Sequence, residues 1–412
     1  DYQLSQLITG TKISFDRIEL ENAELHMIKY QDSLGLNLVE FIYDLNNLKP
    51  KKDSLAPTKP MELTIGEIHL DAFKFSYDNH FNDSLPEGLF DYGHFLLDIP
   101  IADIADFRVV SDTIEATIQS FQAFDQPTGL EVVEMSTQFR ISSMGLEMDK
   151  LELTTANSYI TDKVHLKYNG YDDLSYFNDS ISLDVNLVES RISTRDIQYF
   201  AQIPGEVIDV YTDASIQGKV PNLSIQDLSL RFGKKTMLKG SVDFMGLPNI
   251  YETFINASIS DAELYVPDFE VFLDVQSLTK LENLDDIRFN GHFLGFIRDF
   301  VANGNFKTDL GELSSDVNLK FSEGWRTANY SGDLRLKEFD IGELLNISKY
   351  AGKLNMVGSL RGSGVNPKTA KLYLDAAFTN SEILGYEYDS ISAKGELASE
   401  FFNGQLNVRD PN

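Results

Sequence analysis

The pattern h-x-h-x-x-h-x-h, with h apolar, constrains this chain more than any other feature of its sequence. It fits ISFDRIEL (Ile13–Leu20), LTIGEIHL (Leu63–Leu70), LEMDKLEL (Leu146–Leu153) and LSIQDLSL (Leu223–Leu230). It returns as ASISDAEL (Ala257–Leu264), LRLKEFDI (Leu334–Ile341) and YEYDSISA (Tyr386–Ala393). Each half alternates with period two, the period of a strand. The central polar pair shifts parity by one residue, which in an unbroken strand sends the second half to the opposite face. A β-bulge at the pair restores the facing and bends the strand. Two short strands joined by a two-residue turn would satisfy the same pattern.

Plain alternation fills much of the remainder. SISLDVNL (Ser180–Leu187) sets Ile181, Leu183, Val185 and Leu187 on one side, and AKLYLDAAF (Ala370–Phe378) does the same with Leu372 and Leu374. Strands with one apolar side belong to antiparallel sheets with one wet face. The apolar wall expected from boxes and plain strands together comprises Ile13, Phe15, Ile18, Leu20, Leu63, Ile65, Ile68 and Leu70 near the start. To these it adds Ile181, Leu183, Val185, Leu187, Leu223, Ile225, Leu228, Leu230, Leu334, Leu336, Leu372 and Leu374.

Helix signals are short. NLVEFIYDLNNL (Asn37–Leu48) opens on a capping Asn and carries apolar residues at helical spacing. Three hexamers, DIQYFA, DFEVFL and DIGELL, begin at Asp196, Asp268 and Asp340, a constant interval of 72 residues. Asp is a favoured N-cap, so each reads as a short capped helix. A strand holding Gly218, Gly291 or Gly358 follows each one. A fixed period of this kind marks an array of structural units that contact their neighbours. The expected organisation is an N-terminal segment over 1–190, then repeats over 191–263, 264–335 and 336–412 in one elongated body. KPKKDSLAPTKP (Lys49–Pro60) reads as an exposed loop.

Composition narrows the function. The 35 basic residues face 64 acidic ones, a net charge of −29. That argues against nucleic acid or a broad anionic surface as partner. Without cysteine, neither disulfides nor thiolate chemistry is possible. No apolar stretch reaches the length of a membrane helix. The start, DYQLSQLITG, and the end, NVRDPN, read as cuts through a longer chain.

These residues resemble the AsmA-like envelope proteins, specifically the TamB branch of Bacteroidetes-type bacteria. The likeness rests on FNGHFLGFIRDFVANGNFKTDLGELSSDVNL (Phe289–Leu319), YSGDLRLKEFDIGELL (Tyr330–Leu345), VGSLRGSG (Val357–Gly364) and LGYEYDSISAKGEL (Leu384–Leu397). The opening ISFDRIELENAELHMIKY (Ile13–Tyr30) is similar to the family's first strands. The resemblance implies an all-β fold curled into a long hydrophobic groove, a β-taco, in the periplasm of a Gram-negative bacterium. It implies phospholipid acyl chains as partners. It also implies an inner-membrane anchor and an outer-membrane barrel partner, engaged through parts of the chain outside this sequence.

No residue set announces catalysis. The six histidines (His26, His69, His80, His94, His165, His292) form no metal-binding spacing, and RGSG (Arg361–Gly364) reads as a hairpin turn rather than a phosphate loop. Trp325 and the 28 phenylalanines read as core or groove wall. The expectation is a non-enzymatic conduit for phospholipid acyl chains, with no metal or cofactor. A scaffold for assembling outer-membrane β-proteins, and a closed-core structural β-repeat, are the alternatives.

Overall fold

The computed structural model describes residues 12–30, 37, 62–81, 83–86, 88–200, 207–269, 284, 286–321, 328–364, 369–398 and 401–410. The fold is all-β, with a few one-turn helices among the described residues. The chain divides into two compact units, 1–219 and 220–412.

In the first unit, β1 (Lys12–Glu21) and β2 (Glu24–Lys29) both lie parallel to the 18-residue β3 (Glu62–Asn79). From β3 the chain runs antiparallel through β4 (His94–Val110), β5 (Thr113–Phe121) with the short β6 (Ala123–Asp125), and β7 (Glu131–Ser142). It continues through β8 (Gly145–Thr155), β9 (Tyr159–Lys167), β10 (Ser182–Ser193) and β11 (Asp209–Lys219). The second unit is a pure meander of neighbours. It comprises β12 (Asn222–Phe232), β13 (Thr236–Met245), β14 (Phe254–Tyr265), β15 (Asp286–Phe296), β16 (Asp299–Thr308) and β17 (Gly311–Lys320). These lead to β18 (Asn329–Asp340), β19 (Lys353–Ser363), β20 (Lys371–Ile383), β21 (Tyr386–Ala398) and β22 (Phe401–Arg409).

The boxes are bent strands rather than pairs of strands: each lies in one continuous strand, save that Ile341 already begins a helix. In β8, β12, β14 and β18 the ladder slips at the polar pair, between Asp149 and Leu151, Ile225 and Leu228, Ile259 and Ala262, and Leu336 and Phe339. Lys150, Asp227 and Glu338 take positive φ there, a left-handed residue that re-aims the strand. Facing is restored as expected: Ala257, Ile259 and Ala262 are all buried on one side of β14. Two boxes differ. At Leu63–Leu70 and Tyr386–Ala393 the left-handed residue sits on the neighbouring strand, at Asp106 and Asn380. A kink shared by two paired strands is recorded in only one of their sequences.

Other expectations are placed as follows. Most of the helix Asn37–Leu48, the loop Lys49–Pro60 and Trp325 lie outside the described residues. Asn37 is helical, and its side chain bonds β2, accepting from Ile28 N at 3.1 Å and donating to His26 O at 2.9 Å. Arg361, Gly362 and Ser363 are the last residues of β19 rather than a turn. No helix among the described residues is long and apolar enough to cross a membrane.

Candidate functional site: a continuous apolar face with a helical rim

Register decides what the alternating strands build. In the second unit, cross-strand neighbours line up into apolar rows that traverse all eleven strands. One row reads Leu228, Gly240, Ile259, Gly291, Gly304, Ser315, Leu334, Gly358, Ala376, Ala393 and Leu406. Its members are mostly small. On one side it is flanked by the row of Ile225, Phe293, Leu360 and Leu374. On the other runs the row of Leu230, Phe289, Phe306, Leu336, Met356 and Phe378. The small-residue row makes a shallow lengthwise depression interrupted by Leu228, Ile259, Leu334 and Leu406. Bulky residues border it along the Phe289 side, and a mixed row, Ala257, Ala302, Gly332, Gly395 and Gly404 among it, along the other. With strands about 4.8 Å apart, the depression runs for about 48 Å. Phe289 stacks on Phe306 with centroids 4.6 Å apart and leans over Gly304, so the depression is shallowest at β15–β16.

The eight wall residues expected in this unit all fall on the four rows: Leu223 and Leu372 on an outer one, Ile225 and Leu374 on the next, Leu228 and Leu334 on the small-residue row, and Leu230 and Leu336 on the last. The opposite face is polar, with His292, Asn303, Asp316, Asp333 and Asp375 in one row.

The first unit repeats the principle. Ile13, Phe15, Ile18 and Leu20 of β1 pair one to one with Leu63, Ile65, Ile68 and Leu70 of β3. The outermost row passes from Ile13 and Leu63 through Val109, Ile114, Ile141, Leu146 and Leu166 to Leu183. Val185 extends the second row beside Val164, whereas Leu187 stands opposite Asp162, where β10 bulges. Ile65 and Leu187 are buried, Ile181 is sealed at 0% exposure, and Leu20 is open at 38%.

Large side chains with essentially no exposure are few. Among the described residues Leu151 and Ile181 are the largest of these, both in the first unit, while in the second the largest are Thr236, Thr253 and Ser381. Phe339 at 3% and Met356 at 5% are nevertheless buried in the second unit. Sheets packed into a dry core seal their central Leu, Ile and Phe residues on every side. Here most of the small-residue row stays partly accessible, whereas Ile259, Gly304, Ala376 and Ala393 on it, and Leu336, Met356 and Phe378 beside it, are buried.

The recurring aspartates sit where strands end; Asp196 is not a cap, and the rest of the hexamer after Phe269 lies outside the described residues. Asp196 is the third residue of the helix Thr194–Ile197, whose N-cap is Ser193. Its carboxylate accepts from the hydroxyls of Thr155 and Ser158 and from Asn157 Nδ2 at 2.8 Å, clasping the β8–β9 turn. Asp268, in the 3-10 turn Val266–Phe269, clasps the β12–β13 turn in the same way. It accepts from the amides of Lys234, Lys235 and Thr236 at 2.8, 3.0 and 3.0 Å, and from Thr236 Oγ1 at 2.9 Å. Asp340 caps a helix, Ile341–Leu345, accepting from Glu343 N at 2.8 Å. In each case a three-strand meander ends in a helical turn, and in two of them the Asp reaches back to the preceding hairpin. A carboxylate has several lone pairs and accepts equally well from turn amides or from its own helix. Sequence spacing does not distinguish these partners.

The rim also folds inward. Ile341 and Leu344 pack on the buried cluster of Leu336, Phe339, Leu354, Met356 and Phe378. Leu344 further touches the cluster of Val266, Leu284 and Leu310 against which Phe269 packs. In the first unit, Tyr199 Oη donates to Gly129 O at 3.3 Å, and Phe90 N donates to Tyr199 O at 2.7 Å. Phe90 and Tyr92 meet the Phe200 ring. The segment after β10 thus crosses the end of its sheet, touching the β8–β9 turn, the β6–β7 turn and the β3–β4 loop in succession. No alternation or motif marks this band.

The clasp has a measurable worth. Burial pushes the Asp268 carboxyl up, but the amides of Lys234, Lys235 and Thr236 and the Thr236 hydroxyl outweigh it and hold the group below the usual carboxylate range. Asp268→Ala leaves three turn amides without their acceptor and costs about 2 kcal/mol in urea unfolding. Because the folded pKa is depressed, the stabilisation is present above the ordinary Asp range and is lost as pH falls toward the folded value. An Asp268→Ala protein as stable as the parent at pH 7 contradicts the clasp.

Histidines make local pairs: His69 Nδ1 lies 2.7 Å from Asp103 Oδ1, a bond that holds the imidazole above its ordinary pKa, and His165 Nε2 lies 2.9 Å from Asp149 Oδ1. Among the described residues no group of three His, Asp or Glu side chains is arranged to hold a metal ion. No protein-family model, curated protein or solved structure matches the chain.

Proposed function

We propose that this protein is a non-enzymatic carrier of phospholipid acyl chains, held along the apolar rows of its sheets. The observation that carries the reading is the small-residue row of the second unit, most of whose members are partly accessible, with Ile259, Gly304, Ala376 and Ala393 the buried ones. An acyl tail occupies about 15 Å, half the hydrocarbon thickness of a bilayer, so the depression accommodates tails laid end to end. Each methylene moved from water gains about 0.8 kcal/mol, yet the contacts are non-directional and leave the tail free to slide. Headgroups stay in water beyond the rim. The sequence resemblance to AsmA-like proteins supports a place in the periplasm, between an inner-membrane anchor and an outer-membrane barrel.

The test is extraction of the protein purified under native conditions, with mass spectrometry of the extract. Phospholipid at one or more molecules per chain is the expected result. A lipid-free protein that also fails to take up phospholipid from vesicles overturns the proposal.

A further inference from the structure

Beyond β9 the chain folds over the end of the first unit's apolar face. In the β9–β10 register Lys167 pairs with Ser182 and Leu166 with Leu183, so the next pair outward is Tyr168 and Ile181. Alternation puts both on the side of Leu166, one row beyond the outermost apolar row. Tyr168 is 3% exposed and Ile181 0%. The Tyr168 hydroxyl meets no hydrogen-bonding partner among the described residues, which is rare for a buried polar group. Burial raises this phenol to about 12, so at neutral pH it keeps its proton and can donate.

The segment covering this end is weakly held. It consists of the 3-10 turn Tyr171–Tyr176 and the helix Phe177–Ser180, which has no buried residue. Its ties are mostly polar, apart from the Tyr171 ring, which meets the Tyr168 ring with centroids 6.1 Å apart. Lys29 Nζ reaches Asp172 at 3.5 Å. Gly170 N donates to Ser143 O at 2.7 Å, Tyr171 Oη to Asp112 O at 3.3 Å, and Lys219 Nζ to Asp179 O at 2.9 Å. Segments with few buried apolar contacts open locally at low cost. Gly170, at φ +119° with open space around it, supplies a pivot.

We propose that Tyr168 is the polar end-contact of an acyl-binding site on the first unit, its hydroxyl donating to the carbonyl oxygen of an acyl ester once residues 170–180 swing away. The inference rests on the acyl-carrier reading and adds to it a fixed point where the polar end of the tail is recognised. Asp112, which stays in place when the segment leaves and accepts from the Ser143 amide and hydroxyl, disfavours an approaching carboxylate. The ligand is therefore a neutral ester rather than a free fatty acid.

The experiment measures binding of methyl palmitate, palmitate and hexadecane to the full chain and to Tyr168→Phe. Removing an unpartnered hydroxyl leaves the melting temperature unchanged or slightly raised, whereas removing a bonded one lowers it. The expected result is about a tenfold loss of methyl palmitate affinity, the worth of one hydrogen bond, with hexadecane unchanged. Equal affinity of parent and variant for methyl palmitate overturns the end-contact while leaving the acyl-carrier reading intact. A parallel loss for methyl palmitate and hexadecane, with a lowered melting temperature, shows a structural role and overturns it too. Stronger dependence on Tyr168 for palmitate than for methyl palmitate overturns the choice of ester. A parent that binds none of the three removes the acyl-carrier reading itself.

Discussion

Phe339→Ala lowers the stability of the second unit by about 3–5 kcal/mol, the usual cost of emptying a buried phenylalanine site. Phe339 is 3% exposed and follows the left-handed Glu338, so the bulge in β18 is what turns it inward. It pairs with Leu354 across β19 and packs with Leu336, Met356 and Phe378 under the helix Ile341–Leu345. The rim helix cannot follow the side chain into the cavity, because Asp340 and the backbone bond from Asp340 N to Leu310 O fix where the helix begins. Urea unfolding measures the effect, and a loss below 1 kcal/mol contradicts a sealed cluster at this rim. Val357→Ala is the control. Its side chain is 52% exposed on the opposite face, and the change stays within about 0.5 kcal/mol.

Leu228→Asp has the opposite profile: a small effect on folding and a large one on lipid. Leu228 is half-buried on the small-residue row, with Gly240 directly opposite. A glycine neighbour offers no wall, so a carboxylate at 228 reaches water and keeps its charge without a partner. Melting changes by only a few degrees. For an acyl tail lying on the row, however, the same carboxylate is a charge against hydrocarbon, and its desolvation opposes binding. Phospholipid recovered per molecule falls several-fold, and transfer between donor and acceptor vesicles falls with it. In a closed core the charge would be trapped and the variant would unfold. An unfolded Leu228→Asp protein, or one with undiminished lipid, sinks the open-face reading.

The two substitutions separate parts of the face that look alike in sequence. LRLKEFDI and LSIQDLSL are the same box, yet Phe339 in the first is buried while Leu228 in the second is only half-buried. A box fixes which side of the sheet a residue faces, since that depends only on alternation and one bulge. How deeply it is buried depends on whether a rim helix or a large cross-strand neighbour leans over it. Those neighbours come from strands tens of residues away.

Local chemistry was enough for the strands, their bends and the apolar side of each, because period-two alternation and a parity slip act within eight residues. It also placed Leu223, Ile225, Leu228, Leu230, Leu334, Leu336, Leu372 and Leu374 on one shared face of the second unit. The role of the repeating aspartates was not local. Asp196 and Asp268 find their donors in a hairpin turn roughly 30–40 residues earlier, and only the meander's return brings that turn within hydrogen-bond reach. The alignment of glycines into one lengthwise row was likewise beyond the sequence. Gly240, Gly291, Gly304 and Gly358 share a row only because every strand pairs with its neighbour in one particular register, and shifting a single strand by two residues would scatter them while leaving every alternation intact. Composition and periodicity determined that each strand has one apolar side. Register, which is a property of pairs of strands, decided that the face carries a depression.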